Sequence, residues 1–320
     1  MRNIKITQII EEVKKLLIKA SFELPEDILS ALKHAREIET GTNAKAVLDM
    51  ILENEKIARQ EKLPLCQDCG TAYINFEIGR DVCISGEDAG IELSKENGKN
   101  YINGNNNIKN FFNFKGSILS TGKFNSCIYA LLNSAVADVY KDCYLRKSIV
   151  SDPLFNRKNT SDNTPAVINT SFTDREGLGI EVNLKGGGSE NCSWLFMLNP
   201  STDENEIADI VLNLVKEHVT KACPPVIIGI GIGSTASEVT KLALKATFRN
   251  LGLRSKDSEY CKLENKILKS VNKTGIGTQG LGGITTALAC NIEWAPCHIA
   301  TLPLAVFFGC HSLRRANAWL

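Results

Sequence analysis

The residues of this chain best suited to chemistry are cysteines placed in turns. Residues 63–72 read Leu-Pro-Leu-Cys-Gln-Asp-Cys-Gly-Thr-Ala, so Cys66 and Cys69 flank a Gln-Asp pair and a glycine follows. Such a turn suits half a zinc site, a redox pair, or one corner of an iron–sulfur cluster beside an acid. A zinc ribbon needs a second close pair. The chain has none, since Cys290, Cys297 and Cys310 are spaced by seven and thirteen residues. Most of the eleven cysteines are expected to be buried small apolar residues, among them Cys83, Cys127, Cys143, Cys261 and Cys290. Cys66, Cys223 and Cys310 differ, because each stands in a turn-like context beside Pro, Gly or His. Turns can direct several thiolates at one point, whereas cysteines within helices rarely can.

Three glycine-rich loops accompany them. "GIGIGSTASE" is spaced Gly-x-Gly-x-Gly, not the Gly-x-Gly-x-x-Gly of dinucleotide sites, and reads better as a tight strand-to-helix turn. "KGGGSEN" offers backbone N–H groups that could cradle a carboxylate or a phosphate. "TGIGTQGLGG" is the third. Of four histidines, His34 and His218 lie on expected helices and read as solvated. His298 sits among apolar residues, where a satisfied core histidine is the default, and His311 adjoins Cys310. Arg146, Arg314 and Arg315 read as ordinary surface residues.

These side chains need a scaffold. The chain has 320 residues, 43% of them hydrophobic, enough for one large domain or two modest ones, and it reads as a single domain over 1–320. Its net charge of +1 gives no support for a nucleic-acid or anionic-membrane partner. No apolar run approaches the ~18–20 residues of a membrane span. Eleven cysteines without a secretory signal imply a reducing, cytoplasmic compartment. Residues 1–60 should be helical: Ile9, Val13 and Leu16 share one face, Pro25 opens a second helix, and Thr42 is the expected N-cap of a third. "AYINFEIG", "VINTSF" and "LGIEVNL" read as strands, "DENEIADIVLNLVKEHVTKA" as a helix, and "PPVIIGIGIGSTASEVTKLALKA" as strand, turn and helix. "LENKILKSVNKTG" should be a helix ended by Gly275, and the tail a strand running into a cysteine turn. Residues 89–128 hold eight asparagines between Asn97 and Asn113 and read as a polar low-complexity insertion, a surface loop or disordered. A helix should follow over "ALLNSAVADVYKDCYLRKSIV". The sum is a mixed α/β fold, helices first and then a mixed sheet with helices packed around it.

In order, "PLCQDCGTA", "LRKSIVSDPL…NTSDNTPAVI", "LKGGGSENCS", "ACPPVIIGIGIGSTAS", "GIGTQGLGGITTAL" and "PCHIATLP…CHSLRRA" resemble the class I fumarate hydratases. The likeness is to the α subunit of the two-subunit form, with L-tartrate dehydratase α subunits as close relatives. It covers about 1–88 and 129–320 and leaves the asparagine-rich segment outside. The resemblance implies a 4Fe-4S cluster held by Cys66, Cys223 and Cys310, with its fourth iron open to a small dicarboxylate. It also implies a substrate site lined by Gln67, Arg146 and Gly188, with Asp68 and His298 as an acid/base couple. The implied reaction is the reversible hydration of fumarate to (S)-malate, a tricarboxylic acid cycle step, or the dehydration of L-tartrate. A separate β subunit is expected to complete the enzyme.

The chain departs from the family where Cys69 stands for the usual Thr, Thr278 for Pro, and Phe307 and Gly309 near positions of Asn and Gln. Cys69 and the insertion motivate another reading: a cluster-binding regulatory homologue without catalysis. A nucleotide-binding protein using "GIGIGSTAS" is the third.

Overall fold

The structure is a computed structural model, and it describes residues 1–85, 92–96, 99–103 and 123–320, with side chains described for 1–85 and 128–320. The elements run β1 (Arg2–Lys5), α1 (Ile6–Phe22), α2 (Glu26–Ile38), α3 (Thr42–Glu61), β2 (Thr71–Gly79), β3 (Val82–Ser85), β4 (Glu92–Glu96), β5 (Lys99–Asn103) and α4 (Lys123–Asp142). They continue with β6 (Val167–Thr173), β7 (Leu178–Lys185), the single turn α5 (Gly187–Glu190), β8 (Ser193–Leu198), α6 (Glu204–His218), β9 (Val226–Gly233), α7 (Ala236–Phe248), α8 (Ser258–Asn272), β10 (Ala287–Ala295), β11 (Leu302–Gly309) and β12 (Arg314–Trp319). The fold is mixed α/β, as the sequence implied.

The chain forms two compact units, both discontinuous in sequence. The first holds Met1–Ser21, Gln67–Leu184 and Arg315–Leu320; the second holds Phe22–Cys66 and Lys185–Arg314.

In the first unit, four strands form a sheet in the order β12-β7-β2-β6, with β2 and β6 parallel and Tyr73 opposite Val167. Leu178, Ile180, Val182 and Leu184 of β7 are all buried, on alternate residues. Helix α1 buries Ile9, Val13, Leu16, Leu17 and Ala20 along one stripe, the face that its sequence period predicts. Strand β1, paired parallel with β3, precedes that helix in the chain, so the first residues are a strand and not helix.

The asparagine-rich stretch departs from expectation in part. Strands β4 and β5 pair as an antiparallel hairpin, Glu92 opposite Asn103, and α4 already begins at Lys123. The rest of that stretch lies outside the described residues. Helix α4 stops at Asp142, where Tyr144 takes a left-handed φ of 54°, so "YLRKSIV" is loop.

In the second unit the sheet order is β10-β9-β11-β8, with β10 parallel to β9 and β11 antiparallel to both of its neighbours. Val226, Ile228, Ile230 and Ile232 of β9 pack into a core with Ile207, Val211 and Val215 of α6 and Ile267 and Val271 of α8. Ile227 and Ala289 join a second core with Ile28, Leu32, Leu48 and Phe248 from α2, α3 and α7. The sheet is thus a middle layer, and each fully buried Ile or Val contributes roughly 1.5–3 kcal/mol. A Cβ added at Gly231 would lie 2.2 Å from the Val239 carbonyl, and one at Gly229 would lie 2.4 Å from that of Ala243. The glycines of "GIGIG" therefore let α7 lie directly on β9, and packing accounts for them without a phosphate.

Helix α6 starts at a capping box, Asp203 with Glu206. Helix α3 does not start as expected: its N-cap is Gly41, and Thr42 is already helical.

Candidate functional site

Three turns in the second unit carry the three singled-out thiols. Cys223 follows a 3-10 turn, Val219–Ala222, and has left-handed backbone angles, φ 54° and ψ 72°. That conformation is rare away from glycine, and a proline follows it. It swings the Cys223 side chain out of the direction of the preceding helical turn, and the residue stays exposed. Cys310 stands directly after β11. Gly309 before it has no room for a side chain, since a Cβ would meet Leu313 and Thr247 at 2.9 Å. Cys66 follows Leu65, which is buried in the same core as Ile227 and Leu313 and whose carbonyl accepts the Asn54 amide at 3.0 Å.

The turns of Cys223 and Cys310 are knitted together. The backbone N–H of Gln279 donates to the Pro224 carbonyl at 2.8 Å, and its side-chain Nε2 donates to the same oxygen at 2.9 Å. His311 Nδ1 lies 3.1 Å from that Nε2 and 3.0 Å from the Cys223 carbonyl. The loop bearing Gln279 is anchored in turn by Glu39, whose carboxylate accepts the N–H groups of Thr40, Gly41 and Ile284 at 2.8–2.9 Å.

Electrostatically, Cys66 bears on Cys223, and both bear on Cys310. Burial pushes the Cys310 thiol up to about 11; Arg314 opposes this, and the charges of Cys66 and Cys223 add to it. Burial also raises Cys223, with Cys66 adding to the rise. Three thiolates gathered this way repel, and a bound cation reverses that balance by stabilising all of them. No described cysteine is in a disulfide. Among the described residues no three His, Cys, Asp or Glu are arranged to hold a single metal ion, which gives the zinc reading no support. A cluster spreads its thiolates over different irons, so it does not require three donors converging on one ion.

Two residues whose charges act with Cys310, Arg314 and Lys185, escape a sequence reading. Arg314 is buried, 1% exposed, where the sequence suggests surface, and its charge favours the Cys310 thiolate. Arg315 is buried as well. Lys185, at the end of an apolar strand, has a fully buried side chain; its Nζ donates to the Ser189 carbonyl at 2.7 Å and meets Glu190 at 2.8 Å. Burial lowers the Lys185 pKa, with Glu190, Cys310 and Cys192 opposing the fall. A lysine heading a glycine run, "LKGGG", was the available signal.

Gly188 lies in α5, and a Cβ there would approach the Lys221 carbonyl to 3.0 Å. His298 belongs to the second unit but not to its core. It is exposed in the turn after β10, with Nδ1 accepting the Ala300 N–H at 3.1 Å and its carbonyl accepting the Thr301 N–H at 2.9 Å. His218 stacks on Trp194, with ring centroids 5.2 Å apart. Of the cysteines expected inside, Cys290 is buried, Cys83 is exposed, and Cys143 and Cys261 are half-buried. Cys127 falls outside the described side chains.

Gln67, Asp68 and Arg146 belong to the first unit. Gln67 and Arg146 are exposed. Asp68 is half-buried, and its Oδ1 accepts the Gly70 N–H at 3.0 Å. The Arg146 N–H donates to Cys69 Sγ at 3.2 Å, which ties together the loops that carry the two charged side chains.

A family model described as "Fumarate hydratase (Fumerase)" matches residues 10–105 and 110–319. The match runs through most of the asparagine-rich stretch, which the motif resemblance had left out. The chain is 34% identical over 314 residues, 97% of its length and 96% of the relative's, to a Methanocaldococcus jannaschii protein named "Putative L(+)-tartrate dehydratase subunit alpha". It is 25% identical over 315 residues, 98% of its length and 90% of the relative's, to the L(+)-tartrate dehydratase subunit alpha of Escherichia coli K12.

Proposed function

The chain belongs to the fumarate hydratase (Fumerase) family, and on that premise we propose that it is the α subunit of an iron–sulfur hydro-lyase that dehydrates L-tartrate. The observation that carries the reading is the set of three turn thiols, in which Cys66 acts on Cys223 and both act on Cys310, in a chain whose relatives are named for tartrate dehydratase. Cys66, Cys223 and Cys310 would hold a 4Fe-4S cluster by three thiolates. When bound, that cluster supplies a Lewis-acid iron for a substrate oxygen.

The chain's own residues do the remaining work. The Arg146 guanidinium pairs with a substrate carboxylate, since its planar fork matches two oxygens at once. Gln67, directly after Cys66 in the chain, offers an amide to the substrate. Gly188 presents a backbone N–H where a side chain would obstruct a carboxylate. Asp68 and His298 are the acid/base pair: one takes the proton from the carbon α to a carboxylate, the other delivers a proton to the departing hydroxyl. Tartrate so loses one water and yields the enol of oxaloacetate.

The relatives' designation as α subunits supports a separate β subunit. A reducing, cytoplasmic setting suits a chain of eleven cysteines that would bind a thiolate-held cluster. No helix among the described residues is long and apolar enough to cross a membrane. Hydration of fumarate is the second reading, favoured by the family model's description.

The test is co-expression with a candidate β chain and anaerobic assay of both substrates. L-tartrate turnover that requires the β chain supports the proposal, and fumarate turnover alone selects the second reading. A coloured protein that turns over neither would leave a cluster-binding regulator. A colourless one would remove the cluster.

A further inference from the structure

We propose that Cys69 is a positioning residue that fixes Arg146 for its carboxylate. The inference rests on the role given to Arg146 above and adds the device that holds it. Cys69 is 2% exposed, and its Sγ accepts the Arg146 N–H at 3.2 Å. Around that bond the two loops are clamped at further points. The Tyr140 hydroxyl, itself fully buried, donates to the carbonyls of Cys69 at 2.9 Å and Gly70 at 3.1 Å. Asn163, also fully buried, donates from Nδ2 to the Gly70 carbonyl at 3.1 Å, and its Oδ1 accepts the Ser148 N–H at 2.7 Å. Leu145, next to Arg146, is 1% exposed and hangs its N–H on the Tyr140 carbonyl at 3.0 Å.

Arg146 itself is exposed, so its backbone anchors set where its side chain leaves the loop. Leu145 before it is pinned by Tyr140, Ser148 two residues after it by Asn163, and its own N–H by the Cys69 thiol. A bidentate ion pair rewards a fixed fork and loses affinity when the fork wanders. The thiol therefore serves the substrate through Arg146, as an acceptor and not as a metal ligand.

The near-isosteric pair Cys69→Thr and Cys69→Val separates acceptor from volume. In the complex with its β subunit, Cys69→Val is expected to raise KM for L-tartrate about tenfold, equivalent to ~1.4 kcal/mol, with kcat and the cluster's visible absorption unchanged. Cys69→Thr should restore KM. The double variant Cys69→Val with Arg146→Ala should be no worse than Arg146→Ala alone. Amide hydrogen exchange over residues 144–148 of the chain by itself should quicken in Val and not in Thr, a readout that needs neither partner nor substrate. Cys69→Ala against Cys69→Ser repeats the comparison if Val does not fold. An unchanged KM in the folded Val variant, or equal losses in Val and Thr, overturns the proposal. An unchanged KM in Arg146→Ala would instead overturn the role of Arg146, and the exchange data would still report on the bond.

Discussion

His311 Nδ1 stands 3.0 Å from the carbonyl oxygen of Cys223, so the residue after one proposed ligand is tied to the backbone of another. Gln279 reinforces the link from the third loop, 3.1 Å from the same ring nitrogen. The turns thus hold their relation without help from the sulfurs. A single such hydrogen bond contributes ~1 kcal/mol, a several-fold change in an equilibrium. Gln279→Ala should accordingly fold and bind a cluster, but bleach several-fold faster under a chelator, followed by visible absorption. Bleaching at the unsubstituted rate would show that the link does not matter to retention.

Glu39 ties the glycine loop of residues 275–283 to the segment between α2 and α3, and its charge state sets a pH dependence. Burial alone would raise its pKa, but the backbone N–H groups of Gly41, Ile284, Thr40 and Thr285 outweigh burial and hold it below the usual 4.5. A carboxylate with a depressed folded pKa stabilises the protein above its unfolded pKa, and that stability is lost as pH falls through the folded value. Glu39→Gln should therefore lower the thermal midpoint at pH 7, by the ~1–3 kcal/mol of weakened hydrogen bonds, and flatten its fall below the usual 4.5. Parallel midpoint curves for the two proteins would contradict this.

Arg146→Ala should raise KM for the dicarboxylate by about 10–100-fold, the ~1.5–3 kcal/mol of a charge-assisted contact. The cluster's absorption should not change, because no proposed ligand is touched. Arg146→Lys should recover only part of the loss, since an ammonium cannot pair two oxygens in a plane. Steady-state kinetics on the anaerobic complex decides this, and unchanged kinetics would remove Arg146 from the site.

Gly231→Ala tests whether the "GIGIG" run is packing. The added methyl would meet a backbone carbonyl at 2.2 Å, which forces α7 off the sheet. Overpacking of this kind costs ~1–3 kcal/mol or more, so a clear fall in thermal midpoint or loss of soluble protein is expected. A variant of unaltered stability that lost binding of ATP or NAD would revive the nucleotide reading.

Local patterns made part of this architecture readable. The stripes of α1, α2 and α6 follow the helical period because each buries one face. Strands β8 and β10 escape the alternation test for opposite reasons: β8 is an edge strand of mostly half-buried residues, and β10 is buried on both faces along most of its length. The hairpin of β4 and β5 hides in asparagine-rich composition, which reads as loop. The three turn cysteines stand out by their neighbours, while Arg314 reads as a surface charge and Lys185 gives no sign of burial beyond heading a glycine run. Their burial depends on partners distant in the chain, which no window of sequence displays.

The central claim is that Cys66, Cys223 and Cys310 together hold one iron–sulfur core. Iron, sulfide and visible absorption of the anaerobically purified chain, measured for Cys→Ser variants at each of the three and at Cys69, test it most directly. The account predicts a coloured parent protein, colour lost at Cys66, Cys223 and Cys310, and colour kept at Cys69. Full iron and colour in any of the first three variants, or bleaching at Cys69, would contradict it.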